Sequence, residues 1–224
     1  PQLHETAAWL SGMNSQVFRT IVRSDPGVLL RSDVPTVDPA DRRALVRNLL
    51  ASCERGEWVD SDWDLRLTYR KLVYPDIASD LRPFIVDRTK DIIVRRVAID
   101  IAEASEVLAL QEDLTDVALD TSDSHLPRVR AAAAISRAGE PYTRQKLKPL
   151  ALGIAGDDPD DELKGCGLRA VWPDYLSADE LFATLTPQKR PNLFGSYNVV
   201  LREHVVIHLK PSELPLALEW ARSQ

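Results

Sequence analysis

The feature that most constrains this chain is a repeat. Leu81-Arg-Pro-Phe-Ile-Val-Asp87 lines up 33 residues later with Leu114-Thr-Asp-Val-Ala-Leu-Asp120, and after a further 33 with Leu147-Lys-Pro-Leu-Ala-Leu-Gly153. A fourth start falls near Leu181. Each of the first three is followed by a second matching segment: Val94-Arg-Arg-Val-Ala-Ile, Val129-Arg-Ala-Ala-Ala-Ala and Leu163-Lys-Gly-Cys-Gly-Leu, spaced 35 and 34 residues apart. A unit of this length cannot bury its own apolar face, so copies must stack on one another.

Each unit reads as a helix A, a turn rich in Asp, Ser and Pro, and a helix B. Along helix B, Val94, Val97, Ala98 and Ile101 fall at i, i+3, i+4 and i+7, one face of a helix of period 3.6. Ala98, Ala133 and Gly167 place a small residue in the same slot, where neighbouring helices can approach closely. Period-two alternation is absent. Ser177 with Glu180 reads as a capping box, and Gly139 as a left-handed residue closing a helix. The sequence therefore predicts an all-α fold, an α-solenoid (α-α superhelix) of stacked helical hairpins.

The Asp-rich turn followed by Val-Arg-x-x-Ala resembles HEAT repeats, so the hairpins are HEAT-like. The resemblance implies pairing between neighbouring units, with Asp91 and Asp123 as turn acids and Arg95 and Arg130 as the helix B partners. Lys164 departs from that pattern in the third copy. The alternative is that these are solvated surface charges.

The repeats occupy residues 77–224, preceded by an irregular helical section over 1–76, and the whole is expected to form one elongated domain cut from a longer chain. In the first section Asp38-Pro39 reads as an N-cap and N1 pair opening a helix that Gly56 ends. Residues 57–76 interrupt the pattern and concentrate Trp58, Trp63, Tyr69 and Tyr74 beside Arg66, Arg70 and Lys71. Aromatic side chains among basic ones are enriched in binding surfaces. They serve equally to pin an irregular connector onto a helical stack.

Charge and composition narrow the function classes. A formal charge of -6 offers no general attraction to phosphate backbones, which disfavours nucleic acid as a partner. No apolar run approaches the roughly 20 residues of a membrane-spanning helix. The two cysteines, Cys53 and Cys166, lie 113 residues apart, which suggests neither a disulfide framework nor a clustered metal site and fits a reducing cytoplasm. There is no phosphate-binding glycine loop, no nucleophile elbow and no zinc-protease motif. No cofactor or metal is expected.

Three further groups carry possible chemistry. His204 and His208 share a helical face at i, i+4, which suits a metal, but no third ligand is near in sequence. Asp157-Asp158-Pro159-Asp160-Asp161-Glu162 lacks calcium-loop spacing and reads as the acidic start of a helix. Cys166 falls on an inward helix face, as a small core residue.

Several blocks, Asp25-Pro-Gly-Val-Leu-Leu-Arg-Ser-Asp33, Tyr69-Arg-Lys-Leu-Val-Tyr-Pro75, Leu81-Arg-Pro83, Ile93-Val-Arg-Arg-Val-Ala-Ile-Asp-Ile-Ala-Glu-Ala104 and Gly156-Asp-Asp-Pro-Asp-Asp-Glu-Leu-Lys-Gly165, together resemble the helical region downstream of the ATPase in large bacterial NACHT/STAND-type NTPases. The resemblance implies a non-catalytic interaction or sensor scaffold in signalling or antiviral defence. Its partner would be a protein or the ATPase part of the same chain. An independent HEAT-type adaptor is the alternative, and a HEAT-like nucleic-acid enzyme a more distant one.

Overall fold

The computed structural model describes residues 2–32, 37–59, 68–191 and 194–223. Among them every regular element is helical and no strand occurs. No described helix is long and apolar enough to cross a membrane. The chain divides into two compact units, Pro1–Leu110 and Gln111–Gln224.

The first unit begins with α1 (Gln2–Met13), α2 (Ser15–Ser24), α3 (Pro26–Leu29) and α4 (Pro39–Glu54). Local chemistry fixes their starts. The Asn14 side chain accepts from the Gln16 and Val17 amides, and Asp38 accepts from the Ala40 amide with Pro39 as first helical residue. Gly56, at φ +69°, lets the chain leave α4, as the sequence predicts. α1 packs on α2 and α3, both of these on α4, and α4 on the later helix α6 (Ile92–Ala104). The core of this unit is drawn from Phe18, Leu29, Leu45, Leu49, Leu72, Leu81 and the inner face of α6, all with no exposed surface.

Helices α5 (Ile77–Val86) and α6 (Ile92–Ala104) form the first repeat hairpin. Asp91 caps α6 through the Ile93 amide at 2.7 Å. The predicted helix B face is correct: Val94, Val97, Ala98 and Ile101 are fully buried.

The second unit holds α7 (Gln111–Leu119), α8 (His125–Ala138), α9 (Pro141–Lys146), α10 (Lys148–Ala151), α11 (Glu162–Val171) and α12 (Ala178–Thr184). It ends with α13 (Ser196–Val199), a π-helical turn (Val200–His204), α14 (Val205–His208) and α15 (Leu214–Ser223). α7 pairs with α8, and α9 with α10 pairs with α11. The second helices also touch in succession, α8 on α11 and α11 on α13, while α7 meets α9. Leu114, Leu147 and Leu181, the repeat anchors of this unit, are all buried.

Glycines set the closeness of this packing. A Cβ on Gly167 would lie 2.3 Å from the Ala151 amide nitrogen in the mate helix α10, and one on Gly165 would lie 2.2 Å from the Tyr197 nitrogen in α13. α11 thus uses glycine on one side for its hairpin partner and on the other for the next second helix. The capping box is present, with Ser177 Oγ accepting from the Glu180 amide and Glu180 accepting from the Ser177 amide. Gly139 corrects its expectation: its φ of -72° is not left-handed. Glycine is needed there because a Cβ would sit 2.4 Å from the Ile135 carbonyl oxygen.

Candidate functional site

The aromatic connector resolves into packing residues and exposed cations. Tyr69 is fully buried and Tyr74 is 4% exposed, so neither ring offers a surface to a partner. Trp58 is half-buried, with its indole against the Gly27 backbone, where an added Cβ would lie 2.4 Å from Nε1. Arg70 is exposed and Lys71 half-buried. Trp63 and Arg66 lie outside the described residues. Composition identified this cluster as aromatic and basic but could not separate a core side chain from a surface one.

The hub beside it, Asp80, gave no motif. Its carboxylate accepts from Arg43 Nε at 2.7 Å, Arg47 Nη2 at 2.7 Å and the Tyr74 hydroxyl at 2.8 Å. Burial alone would raise this carboxyl, but the hydrogen bonds from Arg43, Arg47 and Tyr74 outweigh it and hold Asp80 below the usual carboxylate range. Burial and the adjacent carboxylate push the Tyr74 phenol up. The hub joins α4 to α5.

The repeat arginines are placed by the same ten-residue reach. Arg95, 2% exposed, donates to the Ile85 carbonyl in the last turn of α5, and Arg128, also 2% exposed, donates to the Ala118 carbonyl near the end of α7. A cation there complements the helix C-terminus. The position equivalent to Arg95 is thus Arg128, 33 residues on, whereas the Val-Arg pattern points to Arg130, which is half-buried. Arg128 also donates to Ala155 in the turn after α10. Lys164 makes the corresponding link one hairpin later, donating to the Thr184 carbonyl at 2.7 Å and to Thr186 Oγ1 at 2.8 Å. Asp91 caps its own helix, and Asp123 accepts from the Ser124 amide at 2.7 Å.

Each imidazole of the paired histidines is engaged with a main-chain carbonyl. His204 Nε2 donates to Trp172 O at 3.3 Å and His208 Nδ1 donates to His204 O at 2.8 Å. Burial, then the neighbouring His208, lowers the pKa of His204. Cys166 is 1% exposed, with Sγ 3.5 Å from Ser196 Oγ, and burial pushes its thiol up to about 11. It is a thiol at neutral pH, and the thiolate is the nucleophile.

The acidic run before α11 serves as a cap, as expected, and does more. Asp158 accepts from the Leu163 amide at 3.1 Å and the Lys164 amide at 2.8 Å, while Asp161 Oδ2 accepts from the Lys189 amide at 2.8 Å. His125, first residue of α8, brings its Nε2 to 3.3 Å from both Asp158 and Asp160. Among the described residues this trio is the one group of three or more His, Cys, Asp or Glu with metal-holding geometry. A search for ligands close together in sequence misses it, because His125 lies one repeat period away from Asp158.

An apolar surface lies on α1. Leu3, Trp9, Leu10 and Met13 are exposed, and at about 100° per residue they share an arc of roughly 120°. Beside it a cavity of about 450 Å³ is lined by Glu5, Ala8, Trp9, Met13, Arg31 and Ser32. Comparison with protein-family models, curated proteins and solved structures finds no match to this chain.

Proposed function

We propose that the chain is a non-catalytic helical-repeat scaffold, an α-solenoid of HEAT-like hairpins that acts by binding protein. In this reading it is the sensor or switch-holding region of a STAND-like NTPase, and its partner is the ATPase part of the same protein. The observation that carries the scaffold reading is the recurrence of one device. Arg95 and Arg128 reach back to the end of their own first helix, and Arg128 and Lys164 reach forward to the end of the next. Such recurrence is what a stack held by nearest-neighbour interfaces requires. The apolar face of α1 supports a binding role, since exposed apolar area of this kind marks contact surfaces. Binding would act by favouring one of two arrangements of the switch, through a difference in affinity for them.

The test has two arms. The intact mass and sequence of the native gene product are determined, and its nucleotide turnover is compared with that of a Trp9→Ala, Met13→Ala double variant. A product carrying an ATPase ahead of Pro1, with turnover altered by the variant at unchanged thermal melting, upholds the sensor reading. A product without any nucleotide-binding part leaves the independent adaptor. Substrate turnover by the isolated chain would overturn both.

A further inference from the structure

His125 Nε2 lies 3.3 Å from Asp158 Oδ1 and 3.3 Å from Asp160 Oδ1, and one ligand atom from each residue lies within 4.8 Å of the others. One ring nitrogen carries at most one hydrogen, yet it faces two carboxylate oxygens. Both separations exceed the roughly 2.7–2.9 Å of charge-assisted hydrogen bonds. They do match a coordination polyhedron: with metal–ligand distances of about 2.0–2.2 Å, neighbouring ligands of a tetrahedral zinc ion stand about 3.3–3.6 Å apart.

The surrounding chain holds these atoms in place. The Leu163 and Lys164 amides fix both oxygens of Asp158, and the Glu162 amide donates to Asp160 Oδ1 at 3.3 Å. A carboxylate has about four lone-pair positions, so these bonds leave capacity for a metal. The side chains of His125, Asp158 and Asp160 are 32%, 11% and 20% exposed, which leaves an entry path from solvent. Lys189 is the opposing charge: its ammonium donates to the Asp158 carbonyl at 2.6 Å and lies 3.2 Å from Asp161 Oδ1. The ligand atoms themselves carry two carboxylate charges, which a dication neutralises.

We propose that His125, Asp158 and Asp160 form a three-ligand site for a divalent transition cation, zinc by preference, with the remaining coordination position filled by water. An imidazole in the set favours zinc over magnesium or calcium, which take oxygen ligands. The site ties the start of α8 to the turn before α11, two successive second helices of the same unit.

The experiment is titration calorimetry of the full chain with zinc sulfate, repeated with His125→Gln, Asp160→Asn and, as control, His204→Gln. Asp158 is left intact because it caps α11. The expected result is one zinc per chain, undisturbed by excess magnesium. Loss of a direct ligand should weaken binding by at least the about 10–100-fold that loss of a supporting partner costs. The control should bind as wild type does. Absence of saturable zinc binding by the wild type would overturn the proposal, as would unchanged binding in both ligand variants or loss confined to the control. If a variant fails to fold, the wild type decides: cobalt that shifts and broadens the His125 imidazole signals in NMR spectra supports the proposal, and His125 signals left unchanged by cobalt overturn it.

Discussion

Gly167→Ala is expected to destabilise the chain although alanine is the better helix former. The added Cβ would lie 2.3 Å from the Ala151 nitrogen and 2.8 Å from both the carbonyl carbon and the Cβ of Leu150. Ordinary carbon contacts stand at about 3.5–4.0 Å, so the backbone of α10 must retreat by roughly 1 Å. Overpacking costs about 1–3 kcal/mol, and a backbone neighbour puts this case near 3. Helix propensity returns about 1 kcal/mol. The net loss of about 2 kcal/mol corresponds, at about 2–4 °C per kcal/mol for a chain of this size, to a melting decrease of about 4–8 °C. Gly12→Ala in α1 is the internal control: no atom outside its own helix lies within 4 Å of the added Cβ, so propensity alone acts and the melting point should rise by about 2–4 °C. Thermal unfolding followed by far-ultraviolet circular dichroism measures both. If Gly167→Ala melts at or above the wild type, the inference that α10 and α11 are held together at glycine distance is wrong.

Replacing Asp80 by Asn should cost about 1–2 kcal/mol in urea unfolding, less than a fully buried pair because Arg43 and Arg47 stay solvated. The folded Asp80 titrates below its ordinary value, so its contribution is present above that value and is lost as pH falls through the depressed one. The variant's stability should therefore fall less on acidification than the wild type's. Arg128→Met leaves the Ala118 and Ala155 carbonyls without this donor and should cost about 2–4 kcal/mol, read from the same unfolding curves. Cys166, with its thiol pushed up to about 11, should resist iodoacetamide in the native chain and react once urea unfolds it, a difference that mass spectrometry reads directly.

The helical class, the hairpin units and the buried face of α6 were legible in the sequence because spacing alone determines which side chains share a helix face. Caps at Asp38 and Ser177 were legible for the same reason, since their partners lie two or three residues away. What spacing could not supply was depth. In Arg128-Val129-Arg130 the pattern points to the second arginine, while the first holds the fourth position of α8, as Arg95 does in α6. For Tyr69 and Tyr74 the sequence leaves a binding surface and a packed connector both open, and the chain turns both rings inward. The His125 trio depends on two hairpins lying side by side, a relation that appears only after each ligand is placed on its own turn.

The forward link from Arg128 bears on how this unit would yield under load. A guanidinium is a rigid, planar fork, and here one such fork grips the end of α7 and the turn after α10 together. Sliding of one hairpin past the other must release a grip rather than stretch it, so that seam behaves as a latch. The next seam has no such fork: Lys164 crosses it with a single ammonium at the end of a four-carbon stem. Pulled from its ends, the unit should give way in a single step at Arg128.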